Sequence, residues 1–303
     1  MSLNQRMAAL LQSPITAITW DSITQECIRL QEEYPSIPSG IRWALEYKRS
    51  QLENDRGNAA AALQFLKSAI ALAPYNVDIL DDYKNLVRKS SRLQCIVLII
   101  SCKKNEANAL RLASQLEQMD IEYLIVSGSD AASIKHVRAL QVNTSDSVEA
   151  MPQKVVAACT WVHENLGGNV SVLKVADNLL LQEPQKLQEI VTQSARKDVY
   201  IGVPVTSFEH DRCLHWEQSE NAASERRPYG RPVLGPWADG SAYYLGSGAV
   251  EKIVLSFIRF PGLFDGEYYE DKLIGDVLIA EGVTLGGVAS YDDFGLFVNN
   301  ARS

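Results

Sequence analysis

Apolar residues change their spacing partway along this chain, and the change divides it in two. Up to about Arg92 they recur every three or four residues, the period of helices with one buried face. Ile23, Cys27 and Leu30 form one such stripe behind an Asp21 or Ser22 cap. Ile41, Ala44, Leu45 and Leu52 form another, after Pro35, Pro38 and Gly40. The turn Asp55-Arg56-Gly57-Asn58 precedes a third stripe, Ala62, Leu66, Ala69 and Ile70, which stops at Pro74-Tyr75-Asn76. A fourth helix is expected from about Val77 to Val87.

From Leu93 onward short apolar runs alternate with helical stripes. Cys95 to Ser101 reads as a strand buried on both faces, as parallel sheets require. A helix with Leu112, Leu116 and Met119 on one side follows, then the strand Tyr123 to Ser127, so a βαβ unit is expected. Ser147 to Leu166 contains a further long helix. It leads into Val170–Val175, a run of β-formers ending in Ala176, Asp177 and Asn178. A carboxylate at that point either lies in the crevice beyond the carboxyl ends of the strands, where open α/β sheets bind ligands, or simply makes a turn. Val199 to Val203 is another strand, ending at Pro204. Helices are expected from about Ser247 to Ile258 and from Lys272 to Glu281. The expected organisation is an all-helical module over residues 1–92 and an α/β domain over residues 93–303.

Composition narrows the function classes. With 303 residues, 46% hydrophobic and 22% charged, the chain is ordinary for a soluble globular protein. The net charge of −8 argues against nucleic acid as a partner. Arg226, Arg227 and Arg231 form the one candidate basic cluster. No apolar run approaches a membrane span, and the five cysteines lack metal-ligand spacing, so no transmembrane segment and a reducing, cytoplasmic setting are expected. The long polar segment from His210 to Asp239 is expected to be functional. Gly246-Ser247-Gly248 followed by Glu251 imitates a dinucleotide fingerprint. A glutamate at its third position, where a small residue is needed, counts against it.

The run Gly57 to Pro74, with its small residues in register before a terminating proline, resembles the second half of a tetratricopeptide repeat. An ordinary helical hairpin is the alternative. Either way the N-terminal helices suit docking of a protein partner better than catalysis.

Over Cys95 to Gly282, motifs fall in the order found in the β-1,3-galactosyltransferase and Fringe-like glycosyltransferase family, which the chain resembles. Asp146 to Lys154 and later Trp161 stand where that family has Asp-x-Tyr-x-Asn-Leu-x-x-Lys opening a helix that carries a tryptophan. Lys174-Val175-Ala176-Asp177-Asn178 stands for Lys-x-Asp-Asp-Asp, and His215-Trp216 echoes a Lys-Trp-Tyr element. Pro236 to Leu245 matches Pro-Tyr-x-x-Gly-x-x-Tyr-x-Leu, and Glu270 to Gly275 matches Glu-Asp-Val-x-x-Gly.

The resemblance implies a GT-A fold and inverting transfer from a UDP sugar, galactose-type favoured, to a saccharide or glycolipid hydroxyl. The setting would be bacterial surface-polysaccharide synthesis, in the cytoplasm or peripheral to the inner membrane. It assigns the base to Asp271, with Glu270 as the alternative. A carboxylate in a helix's first turn is stabilised in its ionised form, although both residues could merely cap the helix. Ser101, Lys103 and Asn105 would hold the nucleotide base and ribose. Lys154 and Lys174 would reach phosphate or pair with acids, and Gly240 would let backbone approach the sugar. Trp237 would wall the site or support an acceptor ring, or simply pack beside a turn. Asp177 and Asn178 would be what remains of the metal motif, with Ala176 in place of an acid. Mn²⁺ or Mg²⁺ is therefore expected to be weakly held or absent. A non-catalytic sugar-nucleotide-binding or scaffold protein is the alternative.

Overall fold

A computed structural model describes residues 2–88, 93–129, 134–193, 198–205, 234–265, 267–288 and 290–298. The Arg226, Arg227, Arg231 cluster and the His215-Trp216 element lie outside the described residues. By contacts the chain divides into two compact units, residues 1–88 with 255–262, and residues 89–254 with 263–303.

The first unit is built from α1 (Leu3–Gln12), α2 (Trp20–Glu33), α3 (Ser39–Asp55), α4 (Ala59–Leu72) and α5 (Val77–Val87). Ser2 and Gln5 exchange hydrogen bonds in a capping box that starts α1. Met7, Leu10, Ile23, Cys27, Leu30, Ala44, Leu45 and Leu52 bury together, so the stripes read from sequence are the packed faces. Between α3 and α4 the chain reverses at Gly57, whose φ of 78° suits a residue without Cβ. The Asn58 side chain then accepts the Ala61 N–H and caps α4. Alanines 62 and 69 lie fully buried in α4 and let the two helices approach closely.

The second unit begins with β1 (Cys95–Ile100), α6 (Glu106–Gln118), β2 (Tyr123–Gly128), β3 (Ala139–Val142) and α7 (Met151–Asn165). It continues through β4 (Ser171–Ala176), β5 (Leu179–Leu181), α8 (Pro184–Gln193), β6 (Tyr200–Val205) and β7 (Trp237–Leu245). The chain goes on through α9 (Ser247–Arg259), whose residues from 255 onward fall in the first unit, and the second unit ends with α10 (Glu270–Ala280), β8 (Leu285–Gly287) and β9 (Leu296–Val298). Helices precede a mixed α/β domain, with a seven-stranded sheet in the order β3-β2-β1-β4-β7-β6-β8 and a small β5-β9 pair. β7 runs antiparallel to both its neighbours, and the other pairings in the large sheet are parallel.

One face of the sheet, with Val97, Ile99, Leu173, Val175, Ala242 and Tyr244, packs on Leu112 and Leu116 of α6 and on Leu179, Leu181 and Leu296 of the small pair. Helices α7 and α10 lie against each other, α7 also touching β2 and β3 and α10 touching β7. Among the described residues no helix is long and apolar enough to cross a membrane.

The short strands β3, β5, β8 and β9 carry too few residues to announce themselves as strands in sequence. The strand expected to end at Pro204 runs on to Val205, with a register shift between Gly202 and Pro204. A bulge is where a strand tolerates a residue lacking an N–H. Helix α10 begins at Glu270, earlier than expected, which places Glu270 and Asp271 inside its first turn.

Candidate functional site

The order β3-β2-β1-β4 reverses direction at β1, with β2 on one side and β4 on the other. The crevice beyond the carboxyl ends of two such strands is the usual ligand position in an open α/β sheet. Ile100 pairs with Ala176 in the last rung, so Ser101 and Asp177 leave the sheet side by side. The Ser101 hydroxyl donates to Asp177 Oδ2 at 2.7 Å, and both residues are buried. Asn178, the next residue in the turn, is exposed.

Behind this pair, Lys154 of α7 donates to the Ser101 carbonyl at 3.1 Å and to Asp146 Oδ1 at 2.7 Å. Asp146 also accepts the Gly128 N–H at 2.6 Å and the Lys103 N–H at 3.3 Å. Lys154 is therefore committed to Asp146 and ties the segments after β1 and β2 together, rather than extending toward phosphate. The Lys103 side chain bonds Glu106, and Asn105 is partly exposed at the start of α6. Burial pushes the Asp177 carboxyl up from the ordinary carboxylate range, opposed by bonds from Ser101 and Asn105 and by the charges of Lys154 and Lys174.

A second network lies where β4, β7 and α10 meet. Lys174 pairs with Glu270 at 3.2 Å, with both side chains about as buried as core residues, and it also donates to the Gly240 carbonyl. The Tyr243 hydroxyl donates to Glu270 as well. Glu270 is thus spent on a cation and a phenol, and it does not cap its helix. Glu267 instead accepts the N–H groups of Tyr268 and Tyr269, at 3.0 and 2.8 Å.

Asp271 has a different environment. Oδ1 accepts the Lys272 N–H at 2.9 Å, and Oδ2 faces Gly240, 3.2 Å from where a Cβ would stand. Burial and the neighbouring Glu270 charge push its carboxyl up to about 7, against the pull of Lys174. A buried carboxyl that titrates near neutrality, beside bare backbone, can take or give a proton.

The structure therefore brings Ser101, Lys154 and Asp177 together, with Lys103 and Asn105 beside them, and separately gathers Lys174, Gly240, Glu270 and Asp271. Trp237 is buried to 2% exposure, its Cβ close against Gly275 of α10. Asp146 and Tyr243 were not named as site residues from sequence, although each had a cue as a matched position of the Asp146–Lys154 and Pro236–Leu245 segments.

Among the described residues no group of three or more His, Cys, Asp or Glu side chains is placed to hold a metal ion by itself. Asp177 already accepts Ser101 and lies in the fields of two lysines.

The fold and this geometry define an α/β protein with a polar, partly buried site at the carboxyl edge of a mostly parallel sheet. No protein-family model matches the chain, and no curated protein matches it.

Proposed function

We propose that this protein is an inverting glycosyltransferase of the β-1,3-galactosyltransferase and Fringe-like type, with a GT-A fold. It would move a hexose or N-acetylhexosamine from a UDP sugar to a saccharide or glycolipid hydroxyl. The observation that carries the proposal is Asp271, a buried carboxyl with one oxygen turned to Gly240 and a pKa near 7. Its place in the ordered motifs adds support, as does the Ser101–Asp177 pair at the reversal of strand order, where nucleotides bind such sheets.

In this mechanism Asp271 accepts the proton of the attacking hydroxyl, as a carboxylate activates water in inverting glycosidases. Glu270, locked by Lys174 and Tyr243, keeps negative charge beside Asp271 and is not the base. Ser101, Asn105 and Asp177 would contact the nucleoside. A divalent cation, where one binds, would offset diphosphate charge. Asp177 with Asn178 supplies too few donors to hold Mn²⁺ or Mg²⁺ tightly, and no step here is routed through it.

The helical unit would recruit a protein partner, placing the enzyme in the cytoplasm or at the inner membrane in surface-polysaccharide synthesis. The second reading, a sugar-nucleotide-binding protein without turnover, is favoured by the lone acid of the Ala176-Asp177-Asn178 turn.

The test is a panel of UDP sugars, with and without Mn²⁺, scored for binding and for slow hydrolysis. Turnover that falls about a hundredfold or more in Asp271→Asn, with binding retained, is the expected result for loss of a general base. Binding without turnover, unchanged in that variant, favours the second reading. No binding to any nucleotide sugar refutes both.

A further inference from the structure

Asp146, in the segment after β3, fastens the ends of two other strands to itself. Its carboxylate accepts the Gly128 N–H at the end of β2 at 2.6 Å and the Lys103 N–H beyond β1 at 3.3 Å. Lys154 on α7 donates to the same carboxylate at 2.7 Å and to the Ser101 carbonyl at 3.1 Å. The segment that carries Asp146 is itself held closely. A Cβ on Gly128 would stand 2.6 Å from the Ser145 carbonyl carbon and from the Thr144 oxygen, so backbone lies directly on backbone there. The Ser129 N–H also donates to the Thr144 carbonyl, at 2.8 Å.

Stability alone does not account for an ion pair at this place. The Lys154 side chain is 1% exposed and that of Asp146 12%. A buried pair gains little over apolar residues of similar volume, and its best-attested use is to fix one arrangement among several. What this pair fixes is the turn that leaves β1. With the Ser101 carbonyl and the Lys103 N–H both tied, the chain between them has one path. On that path the Ser101 hydroxyl meets Asp177 at 2.7 Å, just past the last β1–β4 rung, and Asn105 bonds the same carboxylate.

We infer that Asp146 and Lys154 are the positioning pair of the nucleotide site. They hold the turn after β1 so that Ser101, Asn105 and Asp177 present one fixed set of hydrogen-bonding groups to a nucleoside diphosphate, which Lys154 is too buried to touch. This rests on the nucleotide-binding part of the proposed function, which both readings of that function share. The two residues act as a unit, because each bonds the other and each bonds the backbone of the same turn.

Calorimetric titration with UDP reads affinity and the competent fraction of protein separately. Wild type is expected to bind. Asp146→Asn and Lys154→Met should each weaken binding about tenfold or more at full stoichiometry, since losing a charge-assisted anchor frees groups that the ligand needs already placed. The double variant should bind no more weakly than the worse single one, because both residues act through one tie. Asp146→Glu keeps the charge but shifts it by a methylene. It should fall between wild type and Asp146→Asn, and it serves where Asp146→Asn does not fold. A merely structural pair would lower the stoichiometry and leave the dissociation constant of the folded fraction within about twofold. That result, or unchanged affinity in every variant, or additive losses in the double variant, overturns the inference and leaves the nucleotide reading standing. If wild type does not bind UDP, the nucleotide reading fails and takes this inference with it.

Discussion

Replacing Lys174 with methionine tests the pair on which the second network is built. The ammonium lies 3.2 Å from Glu270 with side-chain exposures of 4% and 5%, and it also serves the Gly240 carbonyl. At that separation two unit charges attract by about 5 kcal/mol for an effective dielectric constant of about 20. Desolvation offsets much of this, so the intact pair contributes little net stability. Removing one partner is different, because Glu270 is left buried with the Tyr243 hydroxyl as its remaining partner among the described residues. Lys174→Met is therefore expected to destabilise the protein by about 3–5 kcal/mol. The double variant Lys174→Met with Glu270→Gln removes both charges and should recover to within about 1.5 kcal/mol of wild type.

Urea denaturation of all three proteins at pH 7 measures this. A single variant costing under about 1 kcal/mol, or a double variant no better than the single, would refute the reasoning.

Other predictions follow from individual contacts. Asp271 has its folded pKa raised from 3.8 to about 7, so its contribution to stability is present below pH 3.8 and is lost as pH rises through 7. Asp271→Asn should flatten that part of the urea-midpoint profile and raise stability at pH 8; an unchanged slope would contradict the assigned burial. A Cβ at position 275 would stand 2.4 Å from Trp237 Cβ, so Gly275→Ala should cost about 1–3 kcal/mol by overpacking, with a shifted tryptophan fluorescence spectrum. In the helical unit, Gly57→Ala meets no steric obstacle but keeps a φ of 78°, and about 1 kcal/mol of thermal-denaturation stability should be lost. Equal stability would mean that the α3–α4 turn relaxes.

The long elements were legible because their signals are local. The stripe Ala62, Leu66, Ala69, Ile70 needs only its own spacing to specify a helix face. Cys95 to Ile100 needs only its unbroken apolar run to specify a strand buried on both sides. β5 and β9 are three residues each and exist because they pair with one another, which no local pattern announces. The site was legible in part. Asp177 and Asp271 were accessible to sequence because their chemistry sits at an element boundary. Lys154 and Lys174 were left between phosphate and carboxylate partners, and that choice depends on which acids the fold delivers.

Sequence alone thus determined that helices precede an α/β unit, where most of its elements run, and which acids merit attention. Tertiary structure decided the rest. The strand order sets Ser101 beside Asp177, and the antiparallel insertion of β7 between β4 and β6 carries Tyr243 and Gly240 to Lys174. The meeting of α10 with that strand makes Glu270 an anchored anion and leaves Asp271 open toward Gly240. The physical reason is range. Periodicity is fixed by neighbours along the chain, whereas burial, pairing and the charge state of a carboxyl are fixed by neighbours across space.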